Sequence, residues 1–197
     1  MSAARLIYFV RHGETDWNAE ARLQGQADTA LNGTGRAQAM RNGALLASLI
    51  DHPSRFDFVD SPLARTRETM ERARAAMGLP PAGYRTDDRL MEVHFGDWQG
   101  HTFAELEVAD PGCRARRDRD KWRFVPPGEG GESYERLAGR VESWLSEVGR
   151  DTVCVAHGGV LRAAFRLTDA LPPDACASLD IPQDRVLRLA AGRLDWL

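Results

Sequence analysis

The sequence predicts an α/β protein built on a largely parallel sheet, and three observations carry that expectation. Short apolar runs at 6–10, 56–59 and 152–156 are each followed by a segment with helical spacing, the alternation that parallel strands require of their crossover connections. Two of these runs lead into a His-Gly pair, His12 with Gly13 and His157 with Gly158. No internal repeat and no linker divides the 197 residues, so one compact domain over 1–197 is expected, long enough to bury a core without disulfides or metal.

Residues 6–10, LIYFV, form a continuous apolar run with aromatic and β-branched members, which reads as a buried strand with Arg11 and His12 at its exit. Over 34–50, Ala37, Met40, Ala44, Leu45 and Ile50 recur near helical spacing, with Thr34 as the expected cap and Pro53 ending the run. A second strand follows at 56–59, then a helix over 62–77 with Pro62 in its first turn and Gly78 as its stop. Between 80 and 100 Pro, Gly and aromatic residues interrupt any long period, and 102–108 allows only a short helix.

The stretch 110–131 carries the charged block RARRDRDKWR and then the breaker-rich FVPPGEGGE, a surface excursion rather than core. The helix expected over 133–148 sets Leu137, Val141, Trp144, Leu145 and Val148 on one face, and Gly149 terminates it. Residues 152–156 read as a central strand and 158–168 as a helix. The runs 185–189 and 193–197, separated by Ala190, Ala191 and Gly192, close the chain as a hairpin.

A composition of 43% apolar and 28% charged residues is that of a soluble globular protein, and a net charge of −3 predicts no nucleic-acid partner. No apolar stretch approaches the roughly 20 residues that span a bilayer, and the N-terminal run is too short for a signal peptide. No membrane association and a cytoplasmic location are therefore expected. Cys113, Cys154 and Cys176 are odd in number and free of CxxC pairing, which suggests neither a disulfide framework nor a zinc site. No metal or other cofactor is expected.

Four segments carry chemistry. An Arg-His-Gly at a strand exit is weak evidence alone, but Gly13 lets the chain turn sharply and Asn18 offers an amide one short loop later, an arrangement that suits an anion. Arg65 lies in the first turns of a helix, where backbone N–H groups, dipole and guanidinium together favour phosphate; its neighbours Arg67 and Glu68 read as a solvated face. Glu92 stands among Leu90, Met91, Val93, Phe95 and Trp98, and apolar surroundings raise a carboxyl toward general-acid use; a surface glutamate is the alternative. In AHGG, His157 ends a strand and two glycines permit close backbone approach to a ligand. His94, Asp97 and His101 match no metal-ligand spacing and read as loop residues.

With RHGETDWN, RLQGQADTALNGTGRAQA, SPLARTRET, LMEVHFGDWQG, PPGEGGES and AHGG in this order over nearly the whole length, the chain resembles the histidine phosphatase superfamily, in its phosphoglycerate-mutase-like branch. The resemblance implies a three-layer α/β/α sandwich with a mostly parallel central sheet and the pocket at the carboxyl ends of the strands. It implies that His12 is the nucleophile, that Arg11, Arg65 and His157 bind the phosphoryl oxygens with Asn18 and the Gly158 backbone, and that Glu92 is the proton donor. Gln24 and Gly25 match substrate-contact positions. Two guanidiniums and a protonated His157 would supply the charge that phosphoryl transfer needs, while His12 would attack neutral with its other ring nitrogen held by a backbone carbonyl.

The family usually has Trp-Glu-Gly where this chain has Trp98, Gln99 and Gly100. The mutases typically read Glu-Arg-His-Tyr-Gly where Glu92, Val93, His94, Phe95 and Gly96 stand, and they carry a longer insertion than 101–131. The resemblance therefore leans to a phosphomonoesterase acting on a small phosphorylated metabolite, with an α-ribazole-phosphate-like substrate as one analogy. Phosphoglycerate mutase activity and a catalytically silent phosphate-binding module are the alternatives. A homodimer stays an open expectation. The block 114–123, six cations against Asp118 and Asp120, is read either as an attractor for anionic substrates or as a solvated helix face.

Overall fold

The computed structural model describes residues 5–168 and 170–197; the first four residues of the N-terminal segment lie outside them. Among the described residues six strands form one sheet in the order β3-β2-β4-β1-β5-β6. β1 (Ile7–Arg11) and β4 (Thr152–Ala156) lie side by side and parallel at its centre, with β2 (Asp57–Asp60) parallel to β4 and β3 (Arg85–Thr86) parallel to β2. β5 (Val186–Ala190) runs antiparallel to β1, and β6 (Arg193–Trp196) completes the hairpin.

The central strands are apolar at successive positions because both of their faces are covered. Ile7, Phe9, Cys154 and Ala156 enter one core, shared with Leu137, Val141 and Trp144 of α6 (Tyr134–Glu147) and Val160 and Leu161 of α7 (Gly158–Leu167). Tyr8, Val10, Val153 and Val155 enter the other, with Leu46 of α2 (Gly33–Leu49) and Met70 of α3 (Ala64–Ala76). The result is the three-layer α/β/α arrangement. α2, which follows β1, and α7, which follows β4, leave the sheet toward opposite layers, so a crevice opens between the two strands at their carboxyl ends.

Most elements lie where the periodicity puts them, and the departures have local causes. The cap of α2 is Asn32 rather than Thr34: Asn32 is extended and its side chain accepts the Gly35 N–H at 2.9 Å. α3 begins at Ala64, after an extended Leu63, so Pro62 precedes the helix rather than entering its first turn. Four short pieces carry no readable period: α1 (Asp16–Ala19), β3, α5 (Cys113–Asp118) within the charged block, and α8 (Pro173–Ser178). α4 (Phe103–Ala109) is the short helix expected there. Ala191 and Gly192 both take positive φ, at 49° and 75°, as a tight hairpin turn demands.

Cys113, Cys154 and Cys176 are free and buried. Among the described residues no helix is long and apolar enough to cross a membrane.

Candidate active site

The register of the central pair builds the site. Arg11 lies opposite Ala156, and the His12 N–H donates to the Ala156 carbonyl at 2.9 Å, so the next residue of each strand emerges at the same level. Those residues are His12 and His157, whose ring centroids stand 5.2 Å apart. On the far side of β4 the Ser61 N–H bonds the Val155 carbonyl at 3.2 Å, which brings Ser61 to the same edge. Its hydroxyl lies 2.8 Å from His157 Nε2.

His12 Nδ1 donates to the Gly13 carbonyl at 2.8 Å, leaving Nε2 as the free, lone-pair-bearing nitrogen. Gly13 has no room for a side chain: a Cβ there would run into the Gly35 backbone. Gln183 holds the same loop, donating to the His12 carbonyl and to Asn18 Oδ1, both at 3.1 Å. Asn18 Oδ1 also accepts from the Thr15 N–H and hydroxyl, so its amide is oriented with Nδ2 as the end left for the cleft.

Arg65 is fully buried at the start of α3 and donates to the Ala27 and Gly25 carbonyls at 2.7 and 2.6 Å. Arg11 donates to the Ile181 carbonyl at 2.6 Å. The Nε of each guanidinium is buried without a protein partner, as is His157 Nδ1. Unpaired buried polar atoms are costly, and the two arginines that carry two of them line one cleft of about 130 Å³ bounded by Arg11, His12, Asn18, Gln24, Glu92 and Gly158. Gly25 and Arg65 also line it, and Gln24 is held by the Thr29 hydroxyl at 2.6 Å.

Burial, then Arg65 and Arg11, push His12 well below the ordinary imidazole range, against the opposing pull of its bond to Gly13. His157 is pushed the same way by burial, then by Arg65 and His12. The expectation of a cationic His157 is therefore corrected for the free protein: both imidazoles are held neutral, because the field of the neighbouring guanidiniums adds to the loss of solvent. Burial likewise lowers Arg65, to about 10.

Glu92 corrects a second expectation. It is half-buried, and it faces cations rather than an apolar nest, for its charge acts on both Arg11 and Arg65. Its carboxylate accepts the Val93 N–H at 2.9 Å and the Gly159 N–H at 3.0 Å. Gly159 lies against the carboxylate so closely that a Cβ would overlap Glu92 and Leu137.

Gln99, the departure from the family pattern, accepts the Gln26 N–H at 2.7 Å and presses on Gly25, whose φ of 54° suits glycine. It props the 24–26 turn. Arg67 is exposed and Glu68 pairs with Arg36 and Arg72, as a solvated face would. His94 Nδ1 accepts the Gly96 N–H, Asp97 is exposed and His101 faces Glu105. Among the described residues no three His, Cys, Asp or Glu side chains gather as a metal site.

Several residues of the site received no role from the sequence. Ser61 directly precedes Pro62 in the SPLARTRET segment, and Arg162 stands one helical turn after Gly158, so both had a readable signal. Arg22 opens the RLQGQADTALNGTGRAQA segment but was given no role there; Tyr134, at the start of α6, and the buttress Gln183 had no signal, because elements distant in sequence bring them in.

Two facing imidazoles, a buried and a half-buried arginine and the bare amino end of α7 at the carboxyl ends of parallel strands define an anion-binding α/β protein of the phosphoryl-handling kind. The chain belongs to the histidine phosphatase superfamily (branch 1), whose family model matches residues 7–196. It is 36% identical over 182 residues to a glucosyl-3-phosphoglycerate phosphatase of Mycolicibacterium vanbaalenii, covering 86% of this chain and 76% of that one. It is 32% identical over 197 residues to a probable phosphoglycerate mutase of Salmonella paratyphi B, covering 97% and 87%. The solved structure of mycobacterial glucosyl-3-phosphoglycerate phosphatase superposes with a TM-score of 0.78 at 32% identity, covering 94% of this chain and 89% of the other.

Proposed function

We propose that this chain is a metal-independent phosphomonoesterase that hydrolyses a small phosphorylated metabolite through a phosphohistidine on His12. The observation that carries the reading is the shared cleft: His12, Arg11, Arg65, Glu92 and Gly158 line one volume, with the His157 ring 5.2 Å from that of His12 and the Gly159 N–H bonded to Glu92.

His12 Nε2 attacks phosphorus along a line that the Gly13 bond fixes from the opposite side of the ring. Arg11, Arg65, the Asn18 amide and the Gly158 N–H hold the equatorial oxygens, and their charge offsets what develops in the transition state. A phosphoryl dianion beside His157 reverses the local field that keeps this ring neutral, so His157 takes up a proton as substrate binds. Glu92 gives a proton to the leaving alkoxide, then as carboxylate takes one from the water that opens the phosphohistidine. Gln24 and Gly25 contact the leaving group.

Hydrolysis is favoured over mutase transfer by the short excursion at 101–131 and by the phosphatase relatives. The test is a panel containing 3-phosphoglycerate, glucosyl-3-phosphoglycerate and α-ribazole phosphate, read for phosphate release and, in parallel, for 3-phosphoglycerate isomerisation. Phosphate release that is lost in His12→Ala is expected. Isomerisation without release would overturn the hydrolase, and a wild-type chain inert on the panel yet binding phosphate would favour the silent module.

A further inference from the structure

The block at 114–123 does not act as one surface. Arg114, Arg116, Arg119 and Arg123 are exposed, with Arg116 paired to Asp110 and Arg123 to Glu135. Arg117 and Lys121, the only lysine of the chain, turn inward: Arg117 is 8% exposed and Lys121 half-buried. Lys121 Nζ reaches Ser178 Oγ at 3.5 Å, Arg162 Nε donates to the Leu179 carbonyl at 2.9 Å, and Arg11 Nη1 donates to the Ile181 carbonyl at 2.6 Å. Three cations from the excursion, α7 and β1 thus lean on one strap at 178–181.

Arg162 and Tyr134 both line the cleft that holds His12. Arg162 Nη1 donates to the Tyr134 hydroxyl at 3.2 Å, and the Tyr134 ring is stacked on Trp122 with centroids 6.0 Å apart. A Cβ on Gly158 would stand 3.3 Å from Arg162 Nη1 and 3.7 Å from Arg11 Nε, so the two guanidiniums flank one bare backbone position. The countercharge comes from Asp180 on the strap and Glu92 on the cleft wall, both of which act on Arg11, and from Asp118. Asp118 is shared between Arg117 at 3.2 Å and Arg114 at 3.7 Å. Burial, then Arg117 and Arg162, push Lys121 down to about 8. Arg11, Arg65, Arg117, Lys121 and Arg162 still outnumber these carboxylates, an excess that is costly unless an anion completes it, and the phosphoryl group already has Arg11, Arg65 and His157.

We propose that Arg162 and the Tyr134 hydroxyl, with Lys121 behind them, form a second anion subsite that selects substrates bearing a carboxylate or second phosphate on the leaving group. The inference rests on the phosphomonoesterase reading of the adjoining cleft. It makes the cations turned toward α7 and α8, rather than the exposed Arg116, the ones that set specificity.

The test is calorimetric binding of three non-hydrolysable probes to the intact protein at low ionic strength: propylphosphonate, 3-phosphonopropionate and propane-1,3-bisphosphonate. At least one doubly anionic probe is expected to bind on the order of tenfold tighter than propylphosphonate, the scale of one charge-assisted hydrogen bond, and whichever gains more identifies the second anion. The advantage should collapse in Arg162→Gln, weaken in Lys121→Gln and Tyr134→Phe, and persist in Arg119→Gln, which removes an exposed charge from the same block. For the propionate and propyl pair it should also shrink from pH 7 to 9 as Lys121 loses its proton among Arg114, Arg117, Arg162 and Asp118. Equal affinities in the wild type, or an advantage that survives in both Arg162→Gln and Tyr134→Phe, overturn the subsite alone. Failure of all three probes to bind overturns the phosphate cleft, and the subsite with it.

Discussion

His12 and His157 face one another at 5.2 Å between ring centroids with their planes 60° apart, and the parallel pairing of β1 with β4 is what sets that distance. Each ring has one nitrogen committed, His12 Nδ1 to the Gly13 carbonyl and His157 Nε2 to the Ser61 hydroxyl. The remaining nitrogens are His12 Nε2 and His157 Nδ1, the latter buried with no protein partner. One pair of strands therefore brings two imidazoles together at one sheet edge, with His12 Nε2 left open.

Both rings should remain neutral in the free protein below the usual imidazole value, since burial and Arg65 lower each of them. The linkage follows in sign. The unfolded chain binds these protons near pH 6.5 and the folded chain only at lower pH, so the stability they contribute is complete above about 6.5 and is lost as pH falls toward the folded values. Ring NMR titration checks this, with neutral His12 and His157 signals expected at pH 5.5; midpoints at or above 6.5 would contradict it.

Gly159→Ala should displace Glu92, because the added Cβ overlaps its carboxylate and Leu137. A loss of about 10²-fold in kcat and about 1–3 kcal/mol of stability is expected. Gly158→Ala comes tightest against the flexible end of Arg162, at 3.3 Å, and meets Arg11 at ordinary contact distance, so its stability loss should be smaller. Urea unfolding and steady-state kinetics on the two variants decide it, and equal unfolding midpoints would count against the close packing.

Asp60 is fully buried, and neither carboxylate oxygen has a hydrogen-bond partner. Burial raises it from 3.8 to about 7, with Glu71 adding and Arg67 opposing. Here the folded chain holds the proton more tightly than the unfolded one, so the wild type loses stability as pH rises from about 4 to about 7. At about 1.4 kcal/mol per pH unit the full effect is ~4 kcal/mol. Asp60→Asn removes this slope while leaving the opposing histidine contribution in place. Unfolding free energies of the two proteins that run parallel from pH 4 to 8 would sink the assignment.

Gln99→Glu should be nearly neutral for folding, since a carboxylate oxygen can accept the Gln26 N–H as the amide does. Gln99→Leu leaves that N–H without its partner and should cost about 1–3 kcal/mol, with a weaker hold on Gly25. Comparing KM and melting temperature across the pair separates a lost acceptor from a lost charge. A larger penalty for Glu than for Leu would show that charge, rather than acceptance, matters there.

Much of the site was legible because its parts sit at element boundaries. The apolar runs before His12 and His157 mark strands, and helical spacing after Pro62 marks the turn that carries Arg65. The cap at Asn32, the onset of α3 and the short α5 and α8 were not legible, since a piece of four to seven residues completes too few turns to show a period. Glu92 was found by position and misjudged in surroundings: the apolar neighbours in sequence flank it, while the groups in space are Arg11, Arg65 and the Gly159 N–H.

By itself the sequence determined the alternation of strands and helices, the two His-Gly exits and the residue types that stand at the strand ends, all of which depend on local pattern. Only the tertiary structure decided that His157 is neutral in the free protein, that Gln183 buttresses His12 from 171 positions away, and that Arg162 and Lys121 face inward while Arg116 faces solvent. Protonation and charge balance sum the fields and the lost solvent of groups far apart in the chain, so they exist only once β1, β4 and the excursion at 101–131 have been packed together.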